Sequence, residues 1–174
     1  MQNRGTLYVG LLLVLAGLFF LAINLAESLA RLGWRQLWPG LLLLAALAFY
    51  LPIFVWWERH RELSGLAVPG TIFLANALIF FYNTLARDWD AWRYLWSLEP
   101  VAVGLGLAIT WLIGPRHAGL LTGAAVVGGI GLGLFLIFGS LFGASPARAL
   151  APIMLIGLGL LFLLRGVAGR PRPA

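Results

Sequence analysis

The sequence predicts an all-α polytopic membrane protein of six transmembrane helices, arranged as three tandem helical hairpins. Three observations carry that prediction. Apolar runs of about 20 residues, the length that crosses a bilayer core, recur along the chain. Of its 174 residues 61% are hydrophobic and 10% charged, with a mean hydropathy of +0.95, far from the balance of a water-soluble domain. The runs also come in pairs: one ends near Asn24, Asn83 or Ser140, and after a short polar stretch its partner opens on Pro39, Pro100 or Pro152.

The expected spans cover residues 7–26, 37–57, 66–86, 98–113, 118–142 and 149–167. Together they form a single membrane domain over 1–174, with hairpins at 5–57, 65–113 and 118–168 and a short basic tail at 169–174. Nothing is left over for a soluble domain. The first run follows Arg4 and is trailed by the small residues Ala26 and Ala30, as an export signal is. It outruns the apolar core of about 7–15 residues that such a signal has, so it reads as the first helix. Helices are expected throughout because stretches such as 11–15 and 41–44 are continuously apolar, where a lipid-facing barrel strand alternates. In lipid, moreover, each helix satisfies its own backbone. Proline at positions 39, 100 and 152 suits the first helical turn, where its missing N–H has no partner to lose.

The hairpins resemble one another beyond their prolines. Pro100-Val-Ala-Val-Gly104-Leu-Gly106-Leu107 parallels Pro152-Ile-Met-Leu-Ile-Gly157-Leu-Gly159-Leu160, and Ala45 and Ala46 fall at the matching depth after Pro39. A recurrence of about 50 to 60 residues is read as an internal repeat. Small residues at one depth are expected to form interhelical seams, because helices in lipid gain from close backbone approach rather than from burying apolar surface. In the fifth span, Gly119 and Gly123, Gly129 and Gly133, and Gly139 and Gly143 stand at GxxxG spacing and are the expected packing residues.

The net charge of +6 comes from arginine alone, since the chain has no lysine. These arginines sit at the ends of the apolar runs rather than on one patch, which excludes nucleic acid as the expected partner. Short-loop arginines set orientation. One side carries Arg4, Arg59, Arg61, Arg116, Arg165, Arg170 and Arg172; the other carries Arg31, Arg35, Arg87, Arg93 and Arg148. Both termini are therefore expected in the cytoplasm.

Few residues offer chemistry. The chain has no cysteine, which removes thiolate nucleophiles, thiolate metal sites and disulfides. His60 lies in a polar turn and His117 in the next loop on that side, without carboxylates or thiols at metal-binding spacing. Ser64 and Ser140 lack the G-x-S-x-G setting of an activated serine. Neither an enzyme nor a cofactor site is expected. Intramembrane polar groups carry functional weight; the candidates are Asn76, Glu99, Thr110 and Thr122, with Glu99 expected to cap its helix or to pair with Arg87 or Arg93. In the loop 87–96, helical spacing aligns Trp89, Trp92 and Trp96 on one stripe of an in-plane amphipathic turn. Trp34 and Trp38 make a weaker version in the first hairpin. Such tryptophans anchor a protein at headgroup depth, and their exposed edge is the expected surface for a partner.

The first hairpin resembles the transmembrane region of LiaI- and LiaF-like proteins of the bacterial envelope-stress response. In those proteins a glycine-bearing apolar helix ends in an aromatic, Asn-containing stretch, and a Trp-Pro opens a Leu-rich partner. Here the matching residues are Gly10, Gly17, Phe19, Phe20, Asn24, Leu25, Trp38, Pro39 and 41–44. The second hairpin matches through Gly70, Phe80, Phe81, Asn83 and Pro100, and the third through its glycines and Pro152. The chain departs from that family in having three hairpins where two or fewer are usual, and in lacking the soluble C-terminal domain of full-length LiaF-type regulators. The resemblance implies a bacterial cytoplasmic-membrane protein that works by touching other membrane proteins, without catalysis. A small transporter or channel subunit is the alternative, and it requires Asn76, Thr110, Thr122 and Glu99 to converge on a cavity. An accessory subunit of a larger membrane complex is a third reading, and it requires a face around Trp89, Trp92 and Trp96 for a partner.

Overall fold

The computed structural model describes residues 3–143, 148, 152–157, 159, 160, 163 and 164. Among the described residues every regular element is helical: α1 (Arg4–Ala30), α2 (Trp34–Leu37), α3 (Gly40–Val55), α4 (His60–Leu63), α5 (Ala67–Leu85), α6 (Trp92–Leu95), α7 (Leu98–Ile113) and α8 (Ala118–Phe142). Single 3₁₀ turns stand at Trp57–Arg59 and Ser64–Leu66. The described residues between 152 and 164 are helical as well. The all-α expectation is met.

Three helical stretches are long and apolar enough to cross a membrane: Arg4–Leu29, Trp57–Leu85 and Ala118–Phe142. The other two expected spans are shorter. α3 and α7 have 16 residues each, about 24 Å of helix against a hydrocarbon core of about 30 Å. Each has a one-turn helix in front of it. α2 leads into α3 through a turn at Trp38 and Pro39, and α6 leads into α7 through a turn at Trp96 and Ser97. The two pairs have the same lengths and are displaced by 58 residues, from 34 to 92 and from 40 to 98. Nine of the nineteen residues of the sixth expected span, the third outer loop at 144–147 and the basic tail lie outside the described residues.

Helices α1, α3, α5, α7 and α8 pack in chain order, each antiparallel to the one before. Arg4 at the start of α1 grips Glu58 just past the end of α3, while Phe19 further along lies over Gly40 at the start of α3. Tyr50 and Phe49 of α3 meet Thr71 and Phe73 of α5, and Trp38 meets Phe80 near the opposite end. Thr110 near the end of α7 bonds Ser64, just before α5. Gly104 of α7 lies on Gly128 of α8, and Trp96 lies on Phe138.

Three glycines bring backbone against backbone. A Cβ added to Gly104 would stand 2.7 Å from the Gly128 Cα, and one added to Gly131 would stand 2.6 Å from the Val101 nitrogen. Gly106 meets Val68 of α5 in the same way, at 2.7 Å. Such contact is how helices gain dispersion energy where lipid supplies no hydrophobic driving force.

The contact of α1 with α3 is different in kind, and its polar bond follows from a proline. Pro52 lacks an N–H, so the Ala48 carbonyl four residues earlier has no helical donor. The Tyr8 hydroxyl of α1 donates to that oxygen at 3.0 Å. Otherwise α1 is held by few groups: 6% of its apolar window is buried, against 33% for the window ending at Leu85. Leu7, Val9, Leu13, Val14, Leu18 and Leu21 are exposed on several sides of the helix.

Candidate functional site

The alternating run of helices gathers the polar and aromatic groups at two ends. One end holds α2, α6 and the loop after α5. There α1 and α5 each stop at an arginine in the left-handed region, Arg31 at φ 54° and Arg87 at φ 53°. These residues turn the chain across the helix ends: the Leu32 N–H donates to the Ala26 carbonyl, and the Asp88 N–H to that of Asn83.

The tryptophans of this end divide into two groups. Trp38, Trp89 and Trp92 surround Phe80, with ring centroids 5.2, 6.1 and 5.2 Å away. Trp96 packs on Phe138 of α8 at 5.5 Å and donates its indole N–H to the Arg93 carbonyl. The single stripe expected of Trp89, Trp92 and Trp96 is therefore replaced by two clusters. Its physical cause is the stop at Arg87: Asp88 and Trp89 are not helical, and α6 is one turn long. Asp88 accepts the Ala91 N–H and Asp90 pairs with Arg93, which sets that turn. Trp34 and Trp89 are about half exposed, at 49% and 51%, and present the open aromatic edges. Burial pushes the Tyr94 phenol above its ordinary value, with nearby Tyr82 and Asp88 adding to the shift.

The polar residues picked out within the spans are separated. Asn76 donates to the Ile72 carbonyl of its own helix at 3.1 Å. Thr122 donates to Ala118 and is exposed on α8. Thr110 is buried and donates both to Gly106 and across to the Ser64 carbonyl, at 2.8 and 3.0 Å. Glu99 is half-buried against Trp96, Pro100, Val103 and Val127. It makes no ion pair among the described residues, since Arg93 is taken by Asp90 and Arg87 has no carboxylate within reach. None of the four main cavities is lined by two of these four residues.

Two further interhelical bonds involve Thr71, a mid-span polar residue of the kind expected to bridge helices, and Thr84, which the sequence did not signal. Thr71 donates to its own Ala67 carbonyl and receives the Tyr50 hydroxyl at 2.6 Å. Thr84 reaches the Gln36 carbonyl at 3.2 Å, tying α2 to α5. Asn83 is fully buried, and neither its Oδ1 nor its Nδ2 has a hydrogen-bond partner among the described residues.

Toward α7 the glycine seam takes another register. Among the described residues nothing lies within 4 Å of a Cβ built on Gly119, Gly129 or Gly133, and Gly123 has only the Leu107 side chain near it. The contact with α7 runs instead through Ala124, Gly128 and Gly131, at i, i+4 and i+7. Gly139, further along the same face, is buried, and so is Gly143 just beyond α8.

The opposite end holds residues 57–66 and 114–117. Its two carboxylates are already engaged: Glu58 takes Arg4 in a two-point contact whose longer bond is 2.6 Å, and Glu62 takes Arg59 at 2.8 Å. Between the two loops lies a cleft of about 580 Å³. His60 lies on its wall, stacked on Trp57 at 4.7 Å with Nδ1 2.6 Å from the Trp57 carbonyl. His117 is exposed on the neighbouring loop. Among the described residues no group of three or more His, Asp or Glu side chains gathers as a metal site would require. The chain matches no protein-family model, no curated protein and no solved structure.

Proposed function

We propose that this is a six-span protein of the bacterial cytoplasmic membrane, built from three tandem hairpins with both termini in the cytoplasm, that acts without catalysis by contacting other membrane proteins or a second copy of itself. One observation carries the reading: the polar groups inside the helices are spent on ties such as Thr110 to Ser64 and Tyr50 to Thr71 rather than pooled in a cavity. That is the economy of a scaffold and not of a pore. The displacement of α2–α3 onto α6–α7 by 58 residues supports the tandem-repeat part of the proposal. The resemblance of the first hairpin to LiaI- and LiaF-like proteins supports the class of partner, other envelope membrane proteins. Trp34 and Trp89, with their open ring edges at headgroup depth, are the proposed contact surface.

Topology is testable directly because the chain has no cysteine. Single substitutions Gly65→Cys and Ala86→Cys place one thiol at each end, both at exposed positions. A membrane-impermeant maleimide applied to intact cells is expected to label position 86 and to spare position 65 until the cells are opened. Labelling of both from outside would overturn the hairpin topology. The contact surface is tested by gentle detergent extraction and identification of co-purifying proteins. The Trp34→Ala, Trp89→Ala double variant is expected to insert normally and to lose the partner. Equal recovery with the wild-type chain would remove these tryptophans from the surface.

A further inference from the structure

The cleft between the 57–66 and 114–117 loops has a chemistry of its own. All six side-chain carboxylates of the chain lie among the described residues. Four of them, Glu27, Asp88, Asp90 and Glu99, belong to the tryptophan end, and the remaining two are held by Arg4 and Arg59. Arg61 and Arg116, which both line the cleft, therefore have no carboxylate partner among the described residues. Two such guanidiniums on one concave surface repel each other unless an anion lies between them.

The surroundings define which anion. The Arg116 guanidinium lies over the Trp111 ring, 5.5 Å from its centroid, so its plane is held and its N–H edge stays free for a forked contact. α8 starts two residues later, and no side chain caps it, which adds the positive end of a 25-residue helix dipole on the same loop. Contacts behind the cleft fix Gly114 in its lining. Thr110 bonds the Ser64 carbonyl, and a Cβ on Gly114 would collide with the Ser64 side chain. Below the arginines the wall turns apolar at Leu112 and Ile113, and Leu112 is 60% exposed. A cationic mouth above an apolar, outward-facing wall matches a phosphate that carries acyl chains.

We infer that this cleft binds a phosphoryl anion held in a fork between Arg61 and Arg116, with an anionic phospholipid headgroup as the source that the apolar wall fits. The lipid source rests on the membrane reading proposed above; the phosphoryl site itself does not. Arg61 and Arg116 supply charge-assisted, bidentate hydrogen bonds, Trp57 and His60 close one side, and Leu112 carries the first methylenes of the chain.

The test uses the full chain, delipidated in a neutral detergent, with native mass spectrometry counting bound lipid. Phosphatidylglycerol is expected to be retained over phosphatidylcholine by roughly tenfold, the ratio that one net charge-assisted bond supplies. Arg61→Gln with Arg116→Gln should abolish the preference, whereas Arg31→Gln with Arg35→Gln, the same charge change at the other end, should keep it. Circular dichroism and a monodisperse elution peak show whether each variant is folded. Should the double glutamine variant fail there, Arg61→Lys with Arg116→Lys keeps the charge, loses the fork, and is expected to bind several-fold more weakly. Inorganic phosphate and soluble glycerol phosphate form the second arm. Millimolar displacement of the lipid by neither anion supports the lipid source; tight binding of either anion alone, dependent on the same arginines, keeps the phosphoryl site and overturns the lipid source. Equal lipid preference in the wild-type chain and in the Arg61, Arg116 variants overturns the site, even if the chain proves membrane-embedded.

Discussion

The α7–α8 seam and the α1–α3 contact join neighbouring antiparallel helices by opposite means. At the seam the two backbones touch, with Gly104 on Gly128 and Gly131 on Val101. At the first contact side chains do the reaching: Tyr8 to the Ala48 carbonyl, Phe19 over Gly40, Arg4 to Glu58. A seam of backbones leaves no slack, because no rotamer can move aside for an intruding atom. A contact of long side chains can loosen by degrees. The difference implies a stiff pair at α7–α8 and a first helix that is held lightly, although both look equally apolar in sequence.

Substitutions that load each contact separately put this contrast at risk. The largest effect is expected for Gly104→Leu, since even the first carbon would fall 2.7 Å from the Gly128 backbone; thermal unfolding in detergent should register a loss of about 3 kcal/mol or more. Gly129→Leu, one residue off the seam with nothing within 4 Å of its Cβ among the described residues, should stay within about 0.5 kcal/mol of wild type. Equal losses for the two would erase the distinction. Next comes Thr110→Val, which removes the interhelical hydroxyl that the Ser64 carbonyl accepts beside the Ala67 N–H; the expected loss is about 1.5 kcal/mol, near the top of the range for interhelical bonds in lipid. Tyr8→Phe should cost only about 0.6 kcal/mol and should raise protease access to α1 before the rest of the chain unfolds. A larger penalty for Tyr8→Phe than for Thr110→Val would reverse the ranking of the two contacts.

Helix placement was legible because it depends on local pattern. The apolar runs at 98–113 and 118–142 became α7 and α8 with those bounds, and Pro39 and Pro100 fell at helix starts, as a residue without an N–H does. Helix rotation was not legible. α8 carries glycine at 119, 123, 128, 129, 131, 133 and 139, enough to write several small-residue stripes, and the surface of α7 decides among them. The tryptophan stripe failed for a related reason. Its alignment assumed unbroken helix through 87–96, whereas Arg87 enters the left-handed region, a conformation that arginine sequence context does not announce. The arginine cleft was half-visible: His60, Arg61 and Arg116 were assigned to one side by their loops, but the engagement of both nearby carboxylates is a tertiary fact. The span expected at 37–57 was longer than α3, since Leu37 belongs to the separate helical turn in front of it and α3 stops at Val55.

Ring closure in Pro52, not the arrival of α1, is what frees the Ala48 oxygen, so α3 offers that acceptor at every moment, including while the nascent chain is still being threaded. The N-terminal rod docks by gaining a bond without displacing one, and its departure leaves the Ala48 oxygen without a donor again.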